Sequence, residues 1–328
     1  MPVSLRASVV VPTYNRPDFL ERCLLALANQ TLAPGEYEVI VADDAASEET
    51  RNQVARISKR FGMTGPCLHY LPVRGTQGPA GARNAGWRIA QCEVIAFTDD
   101  DCCPQSTWLA AGVEVIEAGA DAATGRVIVP LPNCRPTDYE RDTAGLADAE
   151  FVTANCFCRR SVLAAIGGFD ARFTAAWRED SDLQFTLLEH GSQIAMVPEA
   201  VVIHPVRPAP WGTSLKQQRK SQFNALLFKK HPDLYRQRIQ SRPPINYYAA
   251  VGSLAVLAIG GTLRRPAVAV SGAAIWTTIT AAFCRRRLQG TSRQPSHVAE
   301  MVVTSTAIPA LSVYWRVRGA LRFRVFFL

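Results

Sequence analysis

Val94-Ile95-Ala96-Phe97 is an apolar run suited to a buried strand, and after Thr98 it ends in three consecutive carboxylates, Asp99, Asp100 and Asp101. Few patterns restrict a fold as much. Like charges this close repel one another, and burying them unpaired is costly. The stretch predicts a strand that delivers its acids to a sheet edge where something positive meets them. Hard cations such as Mg²⁺ and Mn²⁺ prefer carboxylate oxygens and leave positions open for phosphate. In an open α/β sheet, ligands bind at the carboxyl ends of the strands. A solvated acidic turn would carry the same residues, so the rest of the chain has to decide.

The chain before the triplet alternates strands with helices. Ala7 to Val11 is a β-branched run closed by Pro12, as in a buried parallel strand. Pro17 opens a helix that Asn15 or Arg16 can cap, with Leu20, Cys23, Leu24, Leu27 and Ala28 as its apolar stripe. Strands are predicted at Tyr37–Ala42 and Leu68–Leu71, with helices at Glu48–Arg60 and Ala82–Gln91 and a Gly/Pro loop from Gly75 to Gly81. Such alternation implies right-handed βαβ units and a parallel sheet. Beyond the triplet, helices are predicted at Trp108–Ala118, Ser161–Ile166 and Asp180–His190. Strands are predicted at Ala123–Pro130, Phe151–Cys158, Ile194–Val197 and Val201–His204. Leu131 to Glu150 has no periodicity and reads as a loop over the site.

Charge divides the chain. Residues 1–235 hold 23 Lys and Arg against 27 Asp and Glu, whereas residues 236–328 hold 13 Arg against one acid, Glu300. Basic charge beside long apolar runs points to anionic lipid headgroups, and no nucleic-acid motif accompanies it. Ile245–Leu263 and Ala267–Cys284 are free of charge, and each covers about 27–29 Å as a helix, close to the ~30 Å core of a bilayer. Arg236, Arg238 and Arg242 before them and Arg285 to Arg287 after them place the base of a helical hairpin in the cytosol. Residues 298–324 read as an interfacial helix with a basic amphipathic end. The nine cysteines show no CxxC spacing, which suits a reducing compartment. Met1 to Arg6 lacks the pattern of a signal peptide.

Six stretches together resemble the family 2 glycosyltransferases. They are Val9-Val10-Val11-Pro12-Thr13-Tyr14-Asn15-Arg16, Val41-Ala42-Asp43-Asp44, Gly81-Ala82-Arg83-Asn84-Ala85-Gly86, Phe97-Thr98-Asp99-Asp100-Asp101, Gly167-Gly168-Phe169-Asp170 and Glu179-Asp180-Ser181-Asp182-Leu183. They stand in the family's order across residues 7 to 205. The resemblance implies an α/β GT-A domain (nucleotide-diphospho-sugar transferase, Rossmann-like) over residues 1–235. A C-terminal helical membrane region, residues 236–328, would follow.

The resemblance also implies roles. Pro12, Thr13 and Tyr14 would line the base and ribose, and Asp44 would accept a hydrogen bond from the base; the alternative is that Asp43 and Asp44 only cap the next helix. Arg83 would contact the nucleotide or diphosphate through its guanidinium. The triplet corresponds to the DxD motif, with Asp99 and Asp101 as the pair that meets ribose and metal and Asp100 beside them. Asp180 would be the catalytic base. Glu179 and Asp182 would hold acceptor hydroxyls, and Trp177 would stack on a sugar face. His204, late in the fold, would be a further metal ligand.

The activity this implies is metal-dependent, with Mg²⁺ or Mn²⁺, and inverting. A sugar would pass from a nucleotide-diphosphate donor to a hydroxyl of a lipid-linked or cell-envelope acceptor, at a membrane, with the catalytic domain on the cytoplasmic side. A processive polysaccharide synthase would need a Gln-x-x-Arg-Trp motif, and Gln217-Gln218-Arg219-Lys220-Ser221 lacks its tryptophan. A nucleotidyltransferase would carry a Gly-rich loop after the first strand, where this chain has Pro12 to Arg16. A non-catalytic membrane scaffold would have no use for the retained acids at 99–101 and 180.

Overall fold

The computed structural model describes residues 4–62, 64–75, 78–132 and 135–327. Two residues of the Gly75–Gly81 loop lie outside that set. The chain forms two compact units, one of residues 1–130 and 144–206 and the other of residues 131–143 and 207–328.

The first unit is built on one eight-stranded sheet. Its strands are β1 (Ala7–Thr13), β2 (Tyr37–Asp43), β3 (Cys67–Pro72), β4 (Val94–Phe97), β5 (Cys103–Pro104), β6 (Ala122–Ile128), β7 (Cys156–Arg159) and β8 (Ile194–Ile203). They lie in the order β3-β2-β1-β4-β7-β6-β8-β5. The first four are mutually parallel, as the βαβ alternation predicts. β7 runs antiparallel to β4 and β6, and β5 antiparallel to β8, so the sheet is mixed. The two strands expected at 194–197 and 201–204 are one, with an irregular register opposite Gly125 and Arg126.

Both faces of β1 are buried. Val9 and Val11 pack with Val39, Val41, Val94 and Ala96 on one side, and Val10 with Ile40, Ile95 and Phe97 on the other. This double burial is why the central strands read as unbroken apolar runs. The helix Pro79–Ile89 crosses β1 at Gly86, where a Cβ would stand 2.4 Å from Val10 Cγ1. Register then sets the site. Thr13 pairs with Asp43 and Val10 with Phe97, so the chain leaves β1, β2 and β4 at one edge, and each exit carries acids or hydroxyls.

The second unit is helical. Its long helices are Ile245–Thr262, Pro266–Leu288 and Pro295–Phe323, all long and apolar enough to cross a membrane. The first two pack closely at small residues. A Cβ on Gly272 would stand 2.5 Å from the backbone of Leu257, and one on Gly260 2.4 Å from that of Ala269. The expected loop at 131–150 is a correction: it contains a helix, Asp138–Ala144, and residues 131–143 belong to this second unit. Asp138 takes two hydrogen bonds, 2.8 and 3.1 Å, from the buried Arg287. A segment held by a partner 149 residues away leaves no local apolar period to read.

Candidate active site

The site is assembled from strand ends and two helices of the first unit. Thr13 closes β1 and donates its hydroxyl to Asp100 Oδ2 at 2.8 Å. Arg16 does not cap the helix Pro17–Ala28 with its side chain; its guanidinium reaches Asp100 Oδ1 at 3.1 Å instead. Asp100 is 2 % exposed. Burial pushes its carboxyl up to about 6, helped by the charge of Asp101 and opposed by Arg16 and Thr13.

Asp99 turns the other way. Its Oδ1 accepts from Arg83 Nη2 at 2.6 Å, and Arg83 Nη1 stands 3.6 Å from Glu179 Oε1. Arg83 is fully buried and ion-paired with both acids. Glu179 is buried as well, and its carboxyl is pushed up to about 7, chiefly by burial and then by the charge of Asp180, with Arg83 opposing. Asp180 follows at the start of the helix Glu179–Glu189, where the dipole favours an anion. It is partly exposed and takes the Ser181 N–H at 2.7 Å. Its carboxyl is also raised by burial, against the pull of Arg178 and Arg83.

Asp101 and His204 come together although 103 positions separate them. Asp101 Oδ1 lies 3.7 Å from His204 Nε2, and both side chains are buried. His204 is placed by β8, which ends one residue earlier, and its N–H bonds to Ile128 O at 2.8 Å. Its Nδ1 is buried with no hydrogen-bond partner among the described residues. Cys102 Sγ belongs to the same group, whose ligand atoms lie within 4.8 Å of one another. A buried imidazole beside a carboxylate, with one ring nitrogen unsatisfied, fits a cation better than a closed structural pair.

The two acids after β2 separate. Asp43 is wholly buried and accepts from Ala45 and Ser47 N–H and from the Tyr70 hydroxyl, which is a turn-fixing role. Asp44 accepts the Gly78 N–H at 2.6 Å, and its Oδ1 is buried without a hydrogen-bond partner among the described residues. Burial raises its carboxyl. Pro12 is buried in β1, whereas Tyr14 is 57 % exposed. Trp177 is 36 % exposed and has the Arg178 guanidinium 4.7 Å from its ring centre. Asp182 is buried.

Two residues of this region have no site role predicted from the sequence. Arg16 lies in the first motif, and its charge faces the triplet from the neighbouring strand end. Asn84 ties two motifs together. It donates to Phe169 O at 2.7 Å and accepts from Phe169 N–H and Trp87 Nε1–H, both at 2.9 Å. Its place beside Arg83 in the Gly81–Gly86 motif is the signal that points to it.

Residues 8–169 match the family described as "Glycosyl transferase family 2", and residues 141–312 match "Glycosyl transferase family group 2". Glycosyltransferase AglE of Haloferax volcanii is 28 % identical over 222 residues, 64 % of this chain and 70 % of AglE. The GalNAc(5)-diNAcBac-PP-undecaprenol beta-1,3-glucosyltransferase of Campylobacter jejuni is 34 % identical over 96 residues, 29 % of each chain. Other curated relatives are matched over only 57–61 % of their own length. Among solved structures, the mannosyltransferase PcManGT of Pyrobaculum calidifontis, in complex with GDP-Man and Mn²⁺, superposes with a TM-score of 0.55. It shares 19 % identity over 98 % of this chain and 87 % of its own, which establishes the GT-A fold. With the sheet, the carboxylate cluster and both matches in agreement, this chain belongs to the family 2 glycosyltransferases and is a glycosyltransferase.

Proposed function

We propose that the chain moves a sugar from a nucleotide-diphosphate donor to a hydroxyl of a lipid-linked or cell-envelope acceptor, with inversion. One observation carries this reading. A single buried arginine, Arg83, couples the acids at the end of β4 to the acids that open the helix Glu179–Glu189. Donor-facing and acceptor-facing carboxylates are thereby set against one another across the strand ends.

Asp180 takes the proton of the acceptor hydroxyl while that oxygen attacks the anomeric carbon. The new bond forms on the face opposite the departing group, and the electron pair of the broken bond leaves with the nucleoside diphosphate. Glu179 and Asp182, both buried, hold Asp180 and the acceptor side in place. Asp44 Oδ1 accepts a hydrogen bond from the base. Pro12, Thr13 and the exposed Tyr14 line the nucleotide, and Trp177 offers its face to a sugar. Arg83 orients Asp99 and Glu179. Asp101 and His204, with Asp99, would hold a divalent cation, and Mg²⁺ and Mn²⁺ both suit that donor set. When bound, the ion supplies positive charge against the departing diphosphate.

Residues 1–235 form the catalytic part in this reading, and residues 236–328 anchor it, with the catalytic side cytoplasmic. The arginines flanking the helices at 236–242 and 285–287 support that orientation. The undecaprenol-linked acceptor printed in the name of the Campylobacter relative, together with the apolar helices, supports a lipid-linked acceptor.

The deciding experiment incubates purified protein with a panel of nucleotide sugars, with and without Mn²⁺ or Mg²⁺, beside Asp101→Ala. Metal-dependent release of one nucleoside diphosphate, lost in the variant, is the expected result. Absence of both release and metal-dependent nucleotide binding across the panel would overturn the reading.

A further inference from the structure

A groove of about 630 Å³ lies within the helical unit, between the helices Pro266–Leu288 and Pro295–Phe323. Its walls are Trp276, Thr280 and Ala281 on one helix and Thr306 on the other, and Arg285 and Arg293 stand at one end. The two arginines differ from their neighbour Arg287, which is buried and taken up by Asp138, Thr304 and Ser305. Arg285 and Arg293 are exposed and form no ion pair among the described residues. Thr280 is 8 % exposed, and its Oγ1 is buried without a hydrogen-bond partner among those residues.

We propose that this groove holds one anionic phospholipid, its acyl chain along Trp276 to Ala281 and its phosphate between Arg285 and Arg293. Charge and length both select this occupant. Two unpaired guanidiniums at the polar end of an apolar groove complement a phosphate, which each can meet with paired N–H donors. From Trp276 to Arg285 the helix rises about 13 Å, roughly half of a ~30 Å bilayer core. That is the depth of one leaflet, as an acyl chain needs, and a longer polyisoprenoid would overrun it. The arginine-rich end also lies where the anionic cytoplasmic leaflet would be. The inference rests on the membrane anchoring proposed above.

The test uses the full chain in vesicles of equal phosphatidylglycerol and phosphatidylcholine. After extraction in mild detergent, retained lipid is quantified by mass spectrometry. Phosphatidylglycerol should be retained over phosphatidylcholine. In the double variant Arg285→Gln, Arg293→Gln its affinity should fall about 30-fold. Ala281→Trp keeps both arginines and fills an exposed wall of the groove, so it should expel the lipid too, whereas Arg286→Gln should retain it. Equal retention of the two lipids, or retention unchanged in both groove variants, would overturn the proposal. So would displacement of phosphatidylglycerol by an equimolar polyprenyl phosphate. Carbonate extraction separates the two readings: a chain that stays in the membrane without lipid preference refutes the groove alone, and a chain washed off refutes the anchoring with it.

Discussion

Arg83 and Asp99 meet at 2.6 Å, and the arginine that makes this contact is 2 % exposed. Its second partner, Glu179, is buried too, so one cation neutralises acids from two separate motifs. Above about pH 7, where Glu179 is ionised, replacing Arg83 with alanine leaves that carboxylate buried without its counter-charge. Such a loss costs about 3–5 kcal/mol. Arg83→Ala should therefore lower the denaturant midpoint strongly as well as abolish transfer. Arg83→Lys keeps the charge and loses the planar fork, so it should recover only part of the stability. Urea unfolding followed by tryptophan fluorescence checks both; an unchanged midpoint in the alanine variant would contradict the ion pairing.

Glu179 gives the site a stability that depends on pH. Its carboxyl is raised to about 7 from an ordinary value of 4.5. Between those values the unfolded chain has released its proton while the folded chain keeps it. Stability from this group is therefore full below about 4.5, falls as pH rises to about 7, and is level above. Glu179→Gln should flatten that decline in thermal unfolding measured from pH 4.5 to pH 8. The same variant should leave the acid limb of the transfer rate in place, because Glu179 is already neutral where Asp180 titrates. A decline of the same size in wild type and variant would show that another group titrates.

Much of this arrangement is legible in the residues themselves. Val94 to Phe97 followed by Asp99 to Asp101 announces a buried strand with an acidic exit, because burial on both faces removes alternation. The same holds for β1. Less legible is the division of labour among neighbouring acids. Asp43 fixes a turn while Asp44 keeps an oxygen without a hydrogen-bond partner among the described residues. That Arg83 also meets Glu179 is not legible either, because 96 positions separate them. The Asp138–Ala144 helix is hidden for a similar reason, since its anchor is the buried Arg287 and not an apolar stripe.

The pair Asp101 and His204 makes a prediction about metal. If His204 and Asp101 serve one cation, removing the imidazole should weaken Mn²⁺ binding by more than about tenfold. Electron paramagnetic resonance of free Mn²⁺ against protein concentration measures this directly for His204→Gln and Asp101→Asn. His69→Gln is the control, because His69 pairs with Glu38 at 3.1 Å, away from the triplet. Equal affinity in wild type and His204→Gln would assign His204 to packing alone.

Asn84 offers the sharpest separation of positioning from chemistry. None of its hydrogen bonds among the described residues goes to an acid, yet three run from its amide to Phe169 and Trp87. Phe169 follows Gly168, whose φ of +73° holds the turn, and a Cβ on Gly168 would stand 2.6 Å from Asn84 Oδ1. That turn begins the segment leading to Trp177 and Asp180. Asn84→Ala strips buried donors and acceptors of their partner, at about 1–3 kcal/mol for each group left unsatisfied. It should lower thermal stability and reduce kcat, because the base is no longer held in register, while KM for the donor changes little. A kcat that survives Asn84→Ala alongside a clear loss of stability would confine Asn84 to folding and leave Asp180 positioned by its own helix.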